Sequence, residues 1–214
     1  MSGSAATFDA AGIKVLKGLE AVRYRPDMYI GNTADGSGLH MMVAALVEDA
    51  LAHGKQGASP EIGVSLNTDG SVTVMDNLHF DFAEWRCPDM ASAVKRMMTE
   101  LSVGGCFGRS IVNALSSRLD LTIWHGGREY AIAFADGDCV APLEIAAAEQ
   151  GRSGTRITFA PSPDIFANHE FDYKVVYQKL RALMGENPGV QCVLEDWRSD
   201  PPKRADMLSE GQKE

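Results

Sequence analysis

Apolar side chains recur along this chain at two spacings. Between Ser37 and His53, Leu39, Val43, Leu46, Val47 and Leu51 fall three or four residues apart, which places them on one face of a helix. Ile13, Leu16, Leu19 and Val22 share that spacing, and Arg25-Pro26 ends this earlier helix because proline has no backbone N–H to continue it. Ala91 to Leu101, Arg109 to Ser117 and Tyr173 to Met184 read as further helices. Met90, Met97 and Met98 suit either core packing or an adaptable interface. The second spacing is the alternation of strands. Glu61 to Leu66 and Ser71 to Met75 form the arms of a hairpin about Asn67-Thr-Asp-Gly70. Leu119 to Trp124 and Glu129 to Phe134 flank the turn Gly126-Gly127, while Thr155 to Phe159 and Val190 to Leu194 predict two more strands. Helices on one face of a mixed, mostly antiparallel sheet make a two-layer α+β sandwich.

Composition sets the boundaries of that picture. A chain of 214 residues, 45% hydrophobic, buries one good core. Residues 1–12 hold one large apolar group, Phe8, among small and polar neighbours and read as a flexible arm; 13–197 read as the domain. Residues 198–214, polar and broken by prolines, are expected to be a disordered tail. A net charge of −9 argues against autonomous DNA binding, which needs a basic surface to neutralise phosphates. The four cysteines lack paired spacing and no apolar leader opens the chain, so a cytoplasmic setting is expected. No metal spacing appears among the histidines, and no apolar run reaches the roughly 20 residues of a membrane span.

Several segments together carry a resemblance. Ile13-Lys-Val-Leu-Lys-Gly-Leu-Glu-Ala-Val-Arg23, Arg25-Pro-Asp-Met-Tyr-Ile-Gly31, Gly38-Leu-His40, Val112-Asn-Ala-Leu-Ser116 and Gly154-Thr155 stand in the order seen in one family. In this respect the chain resembles the ATPase domain of bacterial type II topoisomerase B subunits, the gyrase B and topoisomerase IV proteins of the GHKL superfamily. The resemblance implies the GHKL sandwich and an adenine pocket. It also implies an N-terminal arm that crosses to a second protomer, with Phe8, Tyr29 and Ile30 as candidate interface residues. A solvated tail at Phe8, and core positions for Tyr29 and Ile30, are the alternatives.

Hydrolysis of ATP needs a base for water, a magnesium ligand and backbone donors around the phosphates. Aligned on Gly38-Leu39-His40, the family's basic glutamate is replaced by Ala45, whose methyl group accepts no proton. Glu48 and Asp49 stand at the following aspartate and metal-holding asparagine; Asp49 is either a hard oxygen ligand or part of a solvated helix face. Asp76 matches the aspartate that takes the adenine amino group, and Thr155 the threonine that shares this contact. An aspartate at a strand end also serves as a plain turn former. After it, Leu78-His79-Phe80 replace a turn that carries glycines in the family. Gly108 stands for the last glycine of the phosphate box, and the lid and the rest of that box are missing between Phe107 and Gly108. A helix start at Gly108 beside Arg109 is either a residual anion site or a shortened loop.

The reading is a topoisomerase B-like pseudo-ATPase that acts through protein contacts, as a homodimer or as a heteromer with a type II topoisomerase subunit. No catalytic residue, metal or cofactor is expected, with weak binding of ATP or ADP and magnesium as the exception. One alternative is a sensor of adenine nucleotides or other small ligands in the residual pocket. Another is a weakly active ATP-binding relative.

Overall fold

Alternation turns one side of each strand inward. Ile62, Val64 and Leu66 of β2 (Glu61–Leu66), Val72 and Val74 of β3 (Val72–Asp76), and Leu119, Leu121 and Ile123 of β5 (Ser116–His125) are all buried in one core. Phe134 of β6 (Arg128–Ala135), Ile157 and Phe159 of β9 (Gly154–Pro161), and Cys192 and Leu194 of β10 (Gln191–Asp196) complete that layer. The opposite layer is helical. α3 (Ser37–His53) supplies Leu39, Met42, Val43, Leu46 and Val47, α4 (Met90–Thr99) supplies Val94, Met97 and Met98, and α6 (Tyr173–Glu186) supplies Val176, Leu180 and Met184. Short helices α1 (Leu19–Tyr24), α2 (Asp27–Ile30) and α5 (Gly108–Ala114) close the ends. This computed structural model describes residues 16, 18–55, 60–80, 87–101 and 108–208, with no side chains described at 53–55 or 79–80. The arm with Phe8, the pair Gly104-Gly105, and the chain after Leu208 lie outside those residues.

Among the described residues, nine strands form the main sheet in the order β11-β10-β2-β3-β9-β5-β6-β7, with β8 also on β6. Here β7 is Asp138–Cys139, β8 is Glu144–Ala147 and β11 is Lys203–Leu208; β1 (Gly54–Lys55) and β4 (His79–Phe80) pair separately. Each of these pairings is antiparallel except β10 with β2. The two-layer α+β expectation therefore agrees with the architecture. The β5–β6 hairpin also turns where glycine directs it, since Gly126 and Gly127 have φ of 60° and 71° between His125 and Arg128.

Two expectations require correction. The polar composition of 198–214 predicts disorder throughout, yet Lys203–Leu208 form β11 on the edge of the sheet. Its charged residues are compatible with a strand because the edge leaves Arg204 and Asp206 at the surface, where they pair with each other and Arg204 reaches Glu195. Ile30 is buried in the core, so it packs the domain and presents no interface side chain.

The retained sequence motifs serve as ties between elements. Arg23 of α1 donates to the Ala114 carbonyl at the end of α5 and pairs with Asp136. Fully buried Asn113 donates from Nδ2 to the carbonyls of Met98 and Gly137, joining α5 to the end of α4 and the turn after β6. Gly38 lets α3 start close to the preceding loop, because a Cβ there would meet the Asn32 carbonyl oxygen at 2.7 Å.

His40 ties the start of α3 to the start of α6. Its Nδ1 lies 2.5 Å from the Gly36 carbonyl, which can only accept, and its Nε2 accepts the Asp172 amide at 2.7 Å. These partners assign a neutral ring with its proton on Nδ1. Asp172 in turn caps α6 by accepting from the amides of Lys174 and Val175. Burial holds the His40 pKa below its ordinary 6.5. The folded state thus takes up this proton at lower pH than the unfolded chain does. The stability from the neutral ring is present above pH 6.5 and is lost as pH falls from there through the folded value. Denaturant midpoints should therefore fall between about pH 7.5 and 5.5 more steeply for the natural chain than for His40→Gln; parallel curves would refute the assignment.

Candidate functional site

The inner row of the sheet ends at Asp76, which pairs directly with Thr155 across β3 and β9. Gly154 makes this close approach feasible. Its φ is 117°, and a Cβ there would meet the Asp76 carbonyl oxygen at 1.9 Å. The Asp76 carboxylate accepts the Leu78 amide at 3.0 Å and the Thr155 amide at 3.2 Å on Oδ1, and the Thr155 hydroxyl on Oδ2. Burial raises its pKa, opposed by the Thr155 hydroxyl, the Arg109 charge and the two amides. The structure thus brings together two residues 79 positions apart that the sequence pattern singled out. Leu78, which follows in place of a glycine-bearing turn, is buried against the core.

Across the same floor lies α3, with Ala45 and Asp49 one turn apart. The first residue of α5 rests directly on them. A Cβ on Gly108 would meet the Ala45 carbonyl oxygen at 2.3 Å and the Asp49 Cβ at 3.0 Å, so only glycine allows this helix contact. The next residue, Arg109, places Nη1 2.5 Å from Asp49 Oδ2, with both side chains only 4% exposed. Asp49 is therefore no part of a solvated helix face, although its neighbour Glu48 is exposed. Gly108 acts as a contact residue on α3, and α5 is seven residues long with every one of them buried.

Sequence reasoning singles out Asp49 and Gly108 separately and treats Arg109 as a bystander to an anion. It misses the ion pair because the partners lie far apart in the chain and no local spacing links them. Tyr29, by contrast, is partly exposed beside the highly exposed Met28 and Tyr24, on α1 and α2. Among the described residues, no group of three or more His, Cys, Asp or Glu is placed to hold a metal ion.

The fit of this site to a magnesium nucleotide can be judged from its own residues. Asp49 Oδ2 faces a guanidinium, Ala45 carries only a methyl group, and a bulky apolar side chain, Leu78, lies two residues after Asp76. Asp49 held by a guanidinium and Ala45 with only a methyl group do not fit a magnesium ion. The Asp76–Thr155 pair remains chemically able to accept a donor from a heterocycle, since a carboxylate offers about four lone-pair sites and three donors occupy it here.

Comparison with known proteins places this geometry in context. No protein-family model matches the chain. The DNA gyrase B protein of Rickettsia typhi is 41% identical over 219 aligned positions, covering 96% of this chain and 27% of that protein. The corresponding gyrase B of Caulobacter vibrioides is 39% identical, covering 97% of this chain and 29% of its own. Among solved structures, the 43K ATPase domain of Thermus thermophilus gyrase B, in complex with an aminocoumarin, superposes with a TM-score of 0.77 at 34% identity. That match covers 91% of this chain and 52% of the solved one. The chain thus spans under a third of the length of these two curated relatives.

The Gly154 contact gives a direct test of how the floor is built. Gly154→Ala should cost at least about 2 kcal/mol in urea unfolding, from backbone strain and the clash with Asp76. Gly185→Ala, in α6 with open space around it, should be neutral or stabilise by up to about 1 kcal/mol. Equal effects at the two sites would contradict the close approach.

Proposed function

Because the chain is a homologue of gyrase B and has the fold of its ATPase domain, we propose that it is a pseudo-ATPase that works through protein contacts. The observation that carries this reading is how the family motifs divide. Those that tie the scaffold together are present: Arg23, Gly38, His40 and Asn113 all make contacts between elements. Those that handle phosphate and water are replaced. Ala45 stands at the base position, and Asp49 is engaged by Arg109.

Without a proton acceptor at the base position and with the metal ligand already neutralised, the pocket lacks the main sources of acceleration for phosphoryl transfer. A preserved scaffold then serves recognition. The exposed Tyr24, Met28 and Tyr29 supply apolar surface for a second copy or for a component of a type II topoisomerase. The acidic net charge argues that such a chain meets DNA through its partner and not by itself.

A second reading is favoured by the Asp76–Thr155 pair, which is the half of an adenine site that needs no metal. In that reading the pocket senses a nucleoside-like ligand and passes its presence to the protein-contact surface.

Two measurements separate these readings from an active ATPase. Magnesium-dependent phosphate release should be no greater for the purified chain than for Asp76→Ala; release that scales with the protein and falls in the variant would overturn the pseudo-ATPase reading. Sedimentation of the chain alone and with purified gyrase proteins should reveal a complex that weakens at least about tenfold in Tyr24→Glu/Met28→Glu. A monomer that associates with neither gyrase protein would remove the protein-contact role, and calorimetry with adenosine and ATP would then decide the sensor reading.

A further inference from the structure

Two carboxylates, Asp49 and Asp76, are buried within reach of the Arg109 charge, and Arg109 is the one buried arginine or lysine among the described residues. We propose that Arg109 is a built-in cation standing in place of a divalent metal ion, so that the pocket is closed to metal and anything seated at Asp76 and Thr155 binds without it. This inference rests on the reading of the pocket as a modified nucleotide site, and goes beyond it by assigning the replacement to one residue.

Electrostatics and packing both support the exchange. An aspartate as buried as Asp49 is tolerated only when paired, and the guanidinium at 2.5 Å supplies the pairing. Magnesium asks for near-octahedral oxygen ligands at about 2.0–2.1 Å and keeps several waters. A cation approaching Asp49 Oδ2 would meet the Arg109 charge at contact distance, where like charges repel strongly.

Displacement by movement is also hindered. Arg109 follows Gly108, whose backbone rests on the Ala45 carbonyl, and the other end of α5 is held by Asn113 and Arg23. The buried seven-residue helix keeps the Arg109 backbone beside α3. The same charge reaches Asp76, where it favours the ionised carboxylate. One fixed cation thus serves two acids, as a metal ion would, while offering no open coordination position to a phosphate.

The probe is Mn²⁺, followed by electron paramagnetic resonance and by thermal melting of the full chain. The natural protein should bind no more Mn²⁺ than the double variant Asp49→Leu/Arg109→Met, in which both charges are gone, and neither should change its melting temperature with metal. Arg109→Ala leaves Asp49 buried without its partner; it should melt about 10 °C lower, bind one additional Mn²⁺, and regain most of that loss in millimolar Mn²⁺. A saturable Mn²⁺ site in the natural chain that the double variant lacks would overturn the proposal. So would an Arg109→Ala protein that folds normally and ignores metal. Should Arg109→Ala fail to fold at any metal concentration, the comparison of natural chain and double variant decides alone. Failure to associate with gyrase proteins in sedimentation would disprove the protein-contact role without touching this result, so the two failures are distinguishable.

Discussion

The contact between α3 and α5 governs the rest of this molecule. Gly108 lets the two helices approach until backbone meets backbone at Ala45, and that proximity delivers Arg109 to Asp49. Breaking a buried ion pair by removing one partner typically costs about 3–5 kcal/mol, while replacing both partners by apolar groups is often neutral. The pair is therefore poor evidence of extra stability. It is strong evidence of commitment, because each charge requires the other once both are buried. The same helix, α5, carries Asn113, which binds the Met98 carbonyl, and offers carbonyls at Ala114 to Arg23 and at Val112 to Ser116.

The floor has two halves with different chemistry. On the sheet side, Asp76 is held by its own turn and by Thr155, an arrangement that depends on the absence of a side chain at Gly154. On the helix side, the carboxylate that could face a metal faces an arginine. The sheet side is a hydrogen-bonded carboxylate and hydroxyl, and the helix side is a buried ion pair. The exposed Tyr24, Met28 and Tyr29 lie on α1 and α2.

Similarity to gyrase B proteins concerns the fold. Identity near 40% across nearly the whole chain is ample for a shared fold, and a TM-score of 0.77 describes that sharing in three dimensions. Neither measure weighs a residue by its chemistry. Ala45 is one position among 214, yet its methyl group leaves no proton acceptor in that place.

Sequence by itself determined the layers. The spacing of apolar residues set the bounds of α3 at Ser37–His53 and located β2, β3, β5, β6, β9 and β10 within a few positions, since each must turn one face to the core. The resemblance also singled out Asp76 and Thr155, which the structure brings into contact, and Ala45 on α3. Polar composition misread the tail, where β11 forms by pairing with an existing strand edge and needs little apolar patterning of its own. Tertiary structure alone decided the state of the site. Whether Asp49 meets water, metal or Arg109 depends on which helix lands beside it, and a charge pair between Asp49 and Arg109 leaves no period or spacing in the chain. Local pattern reports what a residue buries; only the folded packing reports which charge is buried with it.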